Sequence, residues 1–349
     1  MSQTILVTGG AGFIGSHIVD DLVDLGASVR VLDLLHPAAH SSTPEYLNPA
    51  ATYVWGDVQS PEHVAEVVDG VDSVCHQASM VGLGTDFADV VDYVRHNDVG
   101  TAVLLRALAD CGFAGRLVLG SSMVVYGEGR YRCPRHADVR PGPRPVERLE
   151  AGRFEAACPI CGADLEPEAV GEDAPVDPRN VYAATKLHQE YLCRAYSRTS
   201  GVPLTVLRYH NVYGPRMPRD TPYAGVASIF RSALEAGLPP QVFEDGGQVR
   251  DFVHVADIAR GNVIALTSQT PTEGTFNVCS GVPHSVGEMA AELCRAFGGD
   301  IEPVVNGRFR LGDVRHVFAS PDRAAEVLGF KAEVSFADGM REFASAPLR

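Results

Sequence analysis

Apolar residues in this chain fall into short runs, separated by stretches where they recur every three or four positions. Residues 3–8 (QTILVT) form one such run; after a glycine-rich turn, Phe13, Ile14, Ile18, Leu22 and Leu25 follow at helical spacing. The segments 28–33 (SVRVLD), 52–57 (TYVWGD), 73–78 (SVCHQA), 116–122 (RLVLGSS) and 203–209 (PLTVLRY) read as further strands. Ser60-Pro61 marks a helix start, and helical patterns cover roughly 86–111 and 179–200. Strands alternating with helices predict βαβ units and a parallel sheet covered on both faces. The rhythm breaks at 128–178, a stretch rich in Pro, Gly, Arg and Glu, and from about 213 the elements become shorter and mixed, with turn signals at GPRMPRD and EDGGQ.

The pattern therefore predicts an α/β protein with a doubly wound parallel sheet. Its main domain is built from 1–127 and 179–212 and carries an insertion at 128–178. Residues 213–349 form a smaller mixed lobe, some segments of which return to the core. The 349 residues are 45% hydrophobic and 21% charged, which excludes a mainly disordered chain. No apolar run approaches membrane-spanning length, and the start (MSQT before ILVTG) has no basic n-region or apolar h-region, so no membrane association and a cytoplasmic location are expected. A net charge of −15 repels nucleic acid and anionic lipid. An anionic small ligand must then be held by a local cluster of arginines.

The glycines Gly9, Gly12 and Gly15 directly follow a strand and open a helix that begins Phe13-Ile14. In that context they are a dinucleotide fingerprint of the Rossmann type: a tight turn, close approach to a pyrophosphate, and a helix N-terminus facing the phosphates. Asp33 ends the second strand, where a carboxylate accepts hydrogen bonds from both adenosine-ribose hydroxyls and repels a 2′-phosphate. Leu34, Leu35 and His36 supply no arginine for that phosphate, so NAD is favoured over NADP. Asp57 and Val58, ending the third strand, are placed to meet the adenine.

Tyr182 and Lys186 lie four apart early in a predicted helix, on one face and one turn from each other. A cation there stabilises phenolate and can reach ribose hydroxyls. With the glycine fingerprint and the Ser-Ser pair ending the fifth strand, the sequence resembles the extended short-chain dehydrogenase/reductases of the nucleotide-sugar epimerase/dehydratase type. The resemblance rests on TGGAGFIG (8–15), SSMVVYG (121–127), YAATK (182–186), RYHNVYGP (208–215), RDFVHVADIA (250–259) and RLGDVRH (310–316), and it covers nearly all of the chain except 128–178. It implies a catalytic trio of Ser122, Tyr182 and Lys186, with Ser122 on the reacting sugar hydroxyl and Tyr182 taking its proton while hydride passes to NAD. It also extends the cofactor site to Gln77, Ala78, Ser79, Asn97, Tyr209 and Val212. The diphosphate falls to Asn211 (through its backbone), Arg250 and Arg310, the nucleotide ribose to Asp313, and the remaining substrate contacts to Val81, Met123 and Val242. A homodimer through the two long helices is implied as well.

The family's 4,6-dehydratases carry Asp-Glu after the serine, and its decarboxylases carry a Glu. Here Met123 and Val124 follow Ser122, and neither exchanges protons, so elimination lacks its acid and base while epimerisation needs only the trio. A net dehydrogenase or reductase and a non-catalytic NAD sensor are the rival readings. A closer resemblance, to the dTDP-L-rhamnose 4-epimerase type, rests on VGLG (81–84), YVRHN…GTAVLL (93–105), TPYAGVASIF (221–230), VFEDG (242–246) and the insertion itself. It implies dTDP-L-rhamnose as the lead substrate, with UDP-sugars (UDP-glucose or UDP-glucuronate) competing.

Within the insertion, Cys133-Pro-Arg-His136 and Cys158-Pro-Ile-Cys161 form two short knuckles separated by 21 residues. Four such ligands match a structural, zinc-ribbon-like site that would staple a segment poor in apolar residues. Its place between Ser122 and Tyr182 predicts that the insertion lies over the substrate mouth, covering the sugar or shaping dimer contacts. The other cysteines (Cys75, Cys111, Cys193, Cys279, Cys294) are expected to be reduced core thiols.

Overall fold

The computed structural model describes residues 3–37, 39–40, 42–82, 87–219 and 225–349. Leu83 and Gly84 of the VGLG motif and residues 221–224 of TPYAGVASIF lie outside the described residues. The main sheet has seven parallel strands: β1 (Thr4–Thr8), β2 (Ser28–Asp33), β3 (Thr52–Trp55), β4 (Ser73–His76), β5 (Arg116–Ser122), β6 (Leu204–Tyr209) and β7 (Gly274–Val278). Their spatial order is β7-β6-β5-β4-β1-β2-β3, so the strand order reverses between β1 and β4, the kind of switch point at which open α/β sheets bind ligands. Helices Phe13–Asp24 and Val255–Thr267 cover one face through Ile18, Val19, Leu22, Ile258 and Val263. Helices Pro61–Val68, Val90–Asp110 and Val181–Ser200 cover the other through Val64, Leu104, Leu108 and Cys193.

The 86–111 pattern begins its helix at Val90 and contains a π-helical stretch, Val94–Val99, with Asn97 wholly buried inside it. β7, the edge strand supplied by 274–278, carries no distinct strand signal because the run GTFNV is short and interrupted by polar residues. Four of the five isolated cysteines are buried; Cys111 is exposed, since it caps the helix end and points its thiol to Leu108 O rather than into the core.

Beyond β6 a second sheet forms. Val249–His254 pairs with Asn211–Tyr213, Pro283–Ser285 and His316–Val317. Its helices Val226–Glu235, Val286–Ala296 and Phe336–Ser345 bury Phe230, Met289, Leu293, Met340 and Phe343. Residues 130–168 fold into a three-stranded antiparallel sheet (Arg130–Cys133, Ala137–Val139, Glu166–Glu168) with a small core of Tyr131, Cys133, Ala156, Cys158 and Leu165. No described helix is long and apolar enough to cross a membrane.

Candidate active site

The turn after β1 demands glycine at two places. Gly9 has φ +72°, and a Cβ there would come within 2.7 Å of Ala78 N; a Cβ on Gly15 would sit 2.2 Å from Gly9 O. Gly12 caps helix Phe13–Asp24 in an extended conformation without a side-chain acceptor, which leaves the first-turn N–H groups of Phe13 and Ile14 for an external anion. Asp33, 9% exposed, reaches this loop: Oδ2 accepts from Ala11 N at 2.9 Å and Oδ1 from Leu35 N at 2.8 Å. Each oxygen keeps a further lone pair for a ribose hydroxyl. Uncapped helix N–H groups beside a fixed carboxylate are the donor and acceptor set a dinucleotide requires, so these residues fit NAD.

The other residues that the sequence assigns to a cofactor make contacts within the fold. Asp57 Oδ1 accepts from Gln59 N at 2.9 Å, and Val58 is buried against Gly100. Ala78 N donates to Thr8 Oγ1 at 3.2 Å. Asn97 pins the loop after β4: its Oδ1 accepts from Met80 N (2.7 Å) and Ser79 Oγ (3.0 Å), and its Nδ2 donates to Met80 O (3.0 Å) and Thr185 Oγ1 (2.9 Å). Gln77 and Tyr209 turn into a buried network, with the Tyr209 hydroxyl 2.8 Å from Asn262 Oδ1 and 3.1 Å from Gln77 Oε1. Val212 is half-buried against the main core.

Ser122 ends β5, and its Oγ accepts from Val124 N at 3.4 Å, starting the tight turn Met123–Tyr126. Asn180 caps the next helix by accepting from Ala183 N at 2.8 Å, which sets Tyr182 at its opening turn. The Tyr182 hydroxyl is hydrogen-bonded to Ser122; burial pushes the phenol up to about 12, and the Ser122 bond acts against it. One turn on, Lys186 Nζ donates to Gly120 O at 2.6 Å. Burial lowers this ammonium to about 8, while Glu190 favours its charge. The Tyr93 ring packs 6.2 Å from that of Tyr182.

Glu190 is the residue here that sequence patterning does not single out. Completely buried, it accepts from Arg208 Nε and Nη2 (both 2.9 Å), Ser121 Oγ (2.6 Å) and Arg194 Nη2 (2.9 Å). Burial pushes its carboxyl up, but the Arg208 bonds outweigh this and hold it below the usual range. The available signal is the four-residue spacing Lys186–Glu190–Arg194 on one helix.

On the C-terminal side, the Asn211 Oδ1 is buried without a hydrogen-bond partner. Arg250 Nη1 donates to Val249 O (2.8 Å) and Arg315 O (2.9 Å), and Nη2 to Val314 O (2.7 Å); burial lowers its pKa, with Asp313 opposing. Asp313 is pushed up by burial and drawn down by Arg310 and Arg250, so the three charges share one environment. Arg310 lies 5.0 Å above the Phe243 ring. Met123 is half-buried beside this region, Val81 is exposed, and Val242 is wholly buried in the lobe's core.

In the insertion, Cys133 Sγ is 3.5 Å from His136 Nδ1 and 3.8 Å from Cys161 Sγ, and Cys158 Sγ is 3.6 Å from His136 Nδ1. All four ligand atoms lie within 4.8 Å of one another. Tetrahedral zinc, with bonds of about 2.3 Å to sulfur and about 2.05 Å to nitrogen, sets S–S separations of about 3.8 Å and S–N separations of about 3.5 Å. The Cys3His donor set and these three separations match what tetrahedral zinc requires.

Residues 5–147 and 156–279 match the NAD dependent epimerase/dehydratase family. The chain is 35% identical over 346 residues to the dTDP-L-rhamnose 4-epimerase of Burkholderia thailandensis, covering 97% of this chain and 93% of that one. Among solved structures, the UDP-glucose 4-epimerase of Thermus thermophilus in complex with NAD superposes with a TM-score of 0.78 at 30% identity, covering 98% of both chains. The UDP-glucuronic acid 4-epimerase of Bacillus cereus, in complex with UDP-glucuronic acid and NAD, gives 0.79 at 25% identity and 98% coverage of both. Sequence match and sheet order agree, and the chain belongs to the NAD-dependent epimerase/dehydratase family.

Proposed function

We propose that this protein is an NAD-dependent nucleotide-sugar 4-epimerase with dTDP-L-rhamnose as its lead substrate. The observation that carries the reading is the Tyr182 hydroxyl bonded to Ser122 with Lys186 one turn away, followed by Met123 and Val124 where an eliminating enzyme needs an acid and a base. Gly9–Gly15 and Asp33 would hold NAD, which when bound takes hydride from the sugar carbon and returns it. Ser122 orients the reacting hydroxyl. Tyr182 accepts its proton and later gives it back, and the Lys186 ammonium favours the phenolate in between. The half-buried Met123 offers a turning ketose little to bond with. Arg250, Arg310 and Asp313 would hold the nucleoside diphosphate throughout, so the intermediate stays attached while its sugar rotates.

The likeness to UDP-sugar epimerases supports a second substrate class, UDP-glucose or UDP-glucuronate. We further propose that Cys133, His136, Cys158 and Cys161 bind one structural zinc, and that the chain dimerises through helices Val90–Asp110 and Val181–Ser200, where Val91, Val99 and Tyr191 are exposed. Tyr182→Phe tests the chemistry: the variant keeps its fold and its NAD but loses turnover, and undiminished turnover refutes the assignment. A net dehydrogenase would accumulate NADH absorbance during turnover; an epimerase does not.

A further inference from the structure

Residues 128–155 and the nucleotide side of the C-terminal lobe share a set of charges, with Arg144, Glu244 and Arg315 buried at its centre, that proton and hydride transfer do not use. Arg315 has all five N–H groups engaged. Nε and Nη2 donate to Glu155 Oε1 (3.0 and 2.6 Å), Nη1 to Glu244 Oε2 and Asp245 Oδ1 (both 2.8 Å), and Nη2 to Asp245 Oδ2 (2.9 Å). Arg144 Nη2 donates to Glu244 Oε1 and to Asp313 O, both at 2.8 Å. Glu128 Oε2 accepts from Arg315 N at 3.0 Å, and the Tyr131 hydroxyl accepts from His316 N at 3.1 Å. His316 Nδ1 takes the N–H of Val249, so its Nε2 carries the proton and donates to Glu155 Oε2 at 2.8 Å. Four side chains from the insertion thus grip 313–316, the stretch that carries Asp313 and begins three residues after Arg310.

Glu244 extends the grip. Its φ of +55° lies in the left-handed region, which a non-glycine residue occupies only when its surroundings hold it there. Here the side chain, 2% exposed, is fixed between the Arg144 and Arg315 guanidinium groups, and its N–H donates to Arg308 O at 2.7 Å. The adjacent Phe243 ring carries both Arg308 (5.5 Å) and Arg310 (5.0 Å). A continuous path runs from Arg144 through Glu244 and Phe243 to the phosphate-side arginine.

The same elements hold the Cys/His cluster. Tyr131 is two residues before Cys133 and shares the small core with Cys133 and Cys158; Glu155 is three residues before Cys158. Few apolar residues lie beneath this sheet, so a metal held by the cluster would brace it.

We propose that the insertion is a metal-braced clamp on the nucleoside-diphosphate site. Arg144 and Glu155 are positioning residues for Arg310 and Asp313, and loss of the metal weakens nucleotide binding. The proposal rests on the nucleotide-sugar and zinc readings above. The test is calorimetric titration of dTDP and of UDP into full-length, NAD-loaded protein as wild type, Arg144→Met, Tyr131→Phe and chelator-stripped wild type, with zinc and NAD contents measured alongside. Arg144→Met is expected to raise Kd about tenfold. Tyr131→Phe, which removes one hydroxyl and leaves the ring packing, is expected to raise it about threefold. Both variants should retain zinc and NAD, with KM rising and kcat staying within about threefold. Stripped protein should bind at least as weakly as Arg144→Met. Unaltered Kd in both variants overturns the clamp, as does a fall in kcat at unaltered Kd. Unaltered Kd in stripped protein, or purified protein devoid of metal, overturns the metal brace while the two variants still decide the clamp. Wild type that binds neither diphosphate removes the substrate-site reading, and the proposal with it.

Discussion

Replacing Lys186 by Met separates the demands of catalysis from those of folding. In the cofactor-free protein, burial lowers the Lys186 ammonium from 10.5 to about 8. The folded chain therefore binds this proton less tightly than the unfolded chain. The charge weakens the fold fully below about pH 8, the effect fades between about 8 and 10.5, and above that it is gone. The difference amounts to about 3 kcal/mol at pH 7. Methionine removes that penalty but leaves Gly120 O without its Nζ donor, a loss of about 1–3 kcal/mol. The variant should thus match the wild type or exceed it by up to about 2 kcal/mol at pH 7. The advantage should shrink as pH rises, and turnover should fall about a thousandfold. Urea unfolding of cofactor-stripped protein at neutral and alkaline pH reads the first two effects, and an epimerisation assay reads the third. A variant less stable than the wild type by more than about 1 kcal/mol, with a gap independent of pH, would refute the reasoning, because the lysine would then be structural.

Further outcomes follow from other contacts. Gly15→Ala places a Cβ 2.2 Å from Gly9 O, so the helix must shift away from the loop; NAD content of the purified, folded protein should drop below about a tenth of wild type, and full retention contradicts the pyrophosphate assignment. Arg208→Met strands the buried Glu190 carboxylate and should destabilise by roughly 3–5 kcal/mol in thermal or urea unfolding; a loss under about 1 kcal/mol means Glu190 is held adequately by Ser121 and Arg194. Burial raises Glu155, but its bonds from His316 and Arg315 outweigh this and pull it down to about 2. Its contribution is therefore present above its ordinary 4.5 and is lost as pH falls toward about 2. Nucleotide affinity should weaken across that window in wild type and change less in Glu155→Gln; parallel behaviour of the two removes Glu155 from the clamp. Elemental analysis of purified protein should find about one zinc per chain, and Cys161→Ser should lower both the zinc content and the melting temperature. Undiminished zinc excludes Cys161 as a ligand.

The parts of the fold written in local pattern are legible in the amino-acid order alone. Six of the seven main strands are short apolar runs bounded by glycine or aspartate, and the turn through Gly9–Gly15 is dictated by steric contacts that leave no room for a Cβ. The four-residue spacing that sets Tyr182 and Lys186 on one face of the helix Val181–Ser200 is legible in the same way. What escapes is carried by contacts distant in sequence. Arg144 meets Glu244 across 100 positions, and Arg315 meets Glu155 across 160, with no periodicity to announce either pair. Gln77 and Tyr209 sit beside the cofactor crevice in sequence terms, yet their polar atoms close a buried network with Asn262, which no motif signals. The three-stranded sheet of the insertion is hidden because its strands are three or four residues long and mostly polar.

A retained NAD that oxidises and re-reduces one sugar carbon lies at the heart of the proposed reaction. It is tested most directly by incubating purified protein with dTDP-L-rhamnose, without added NAD, and following the sugar C4 proton by NMR. Conversion to the 4-epimer with no NADH released is the expected result. An unchanged C4 signal, in protein shown to contain NAD and also inert toward UDP-glucose and UDP-glucuronate, would contradict it.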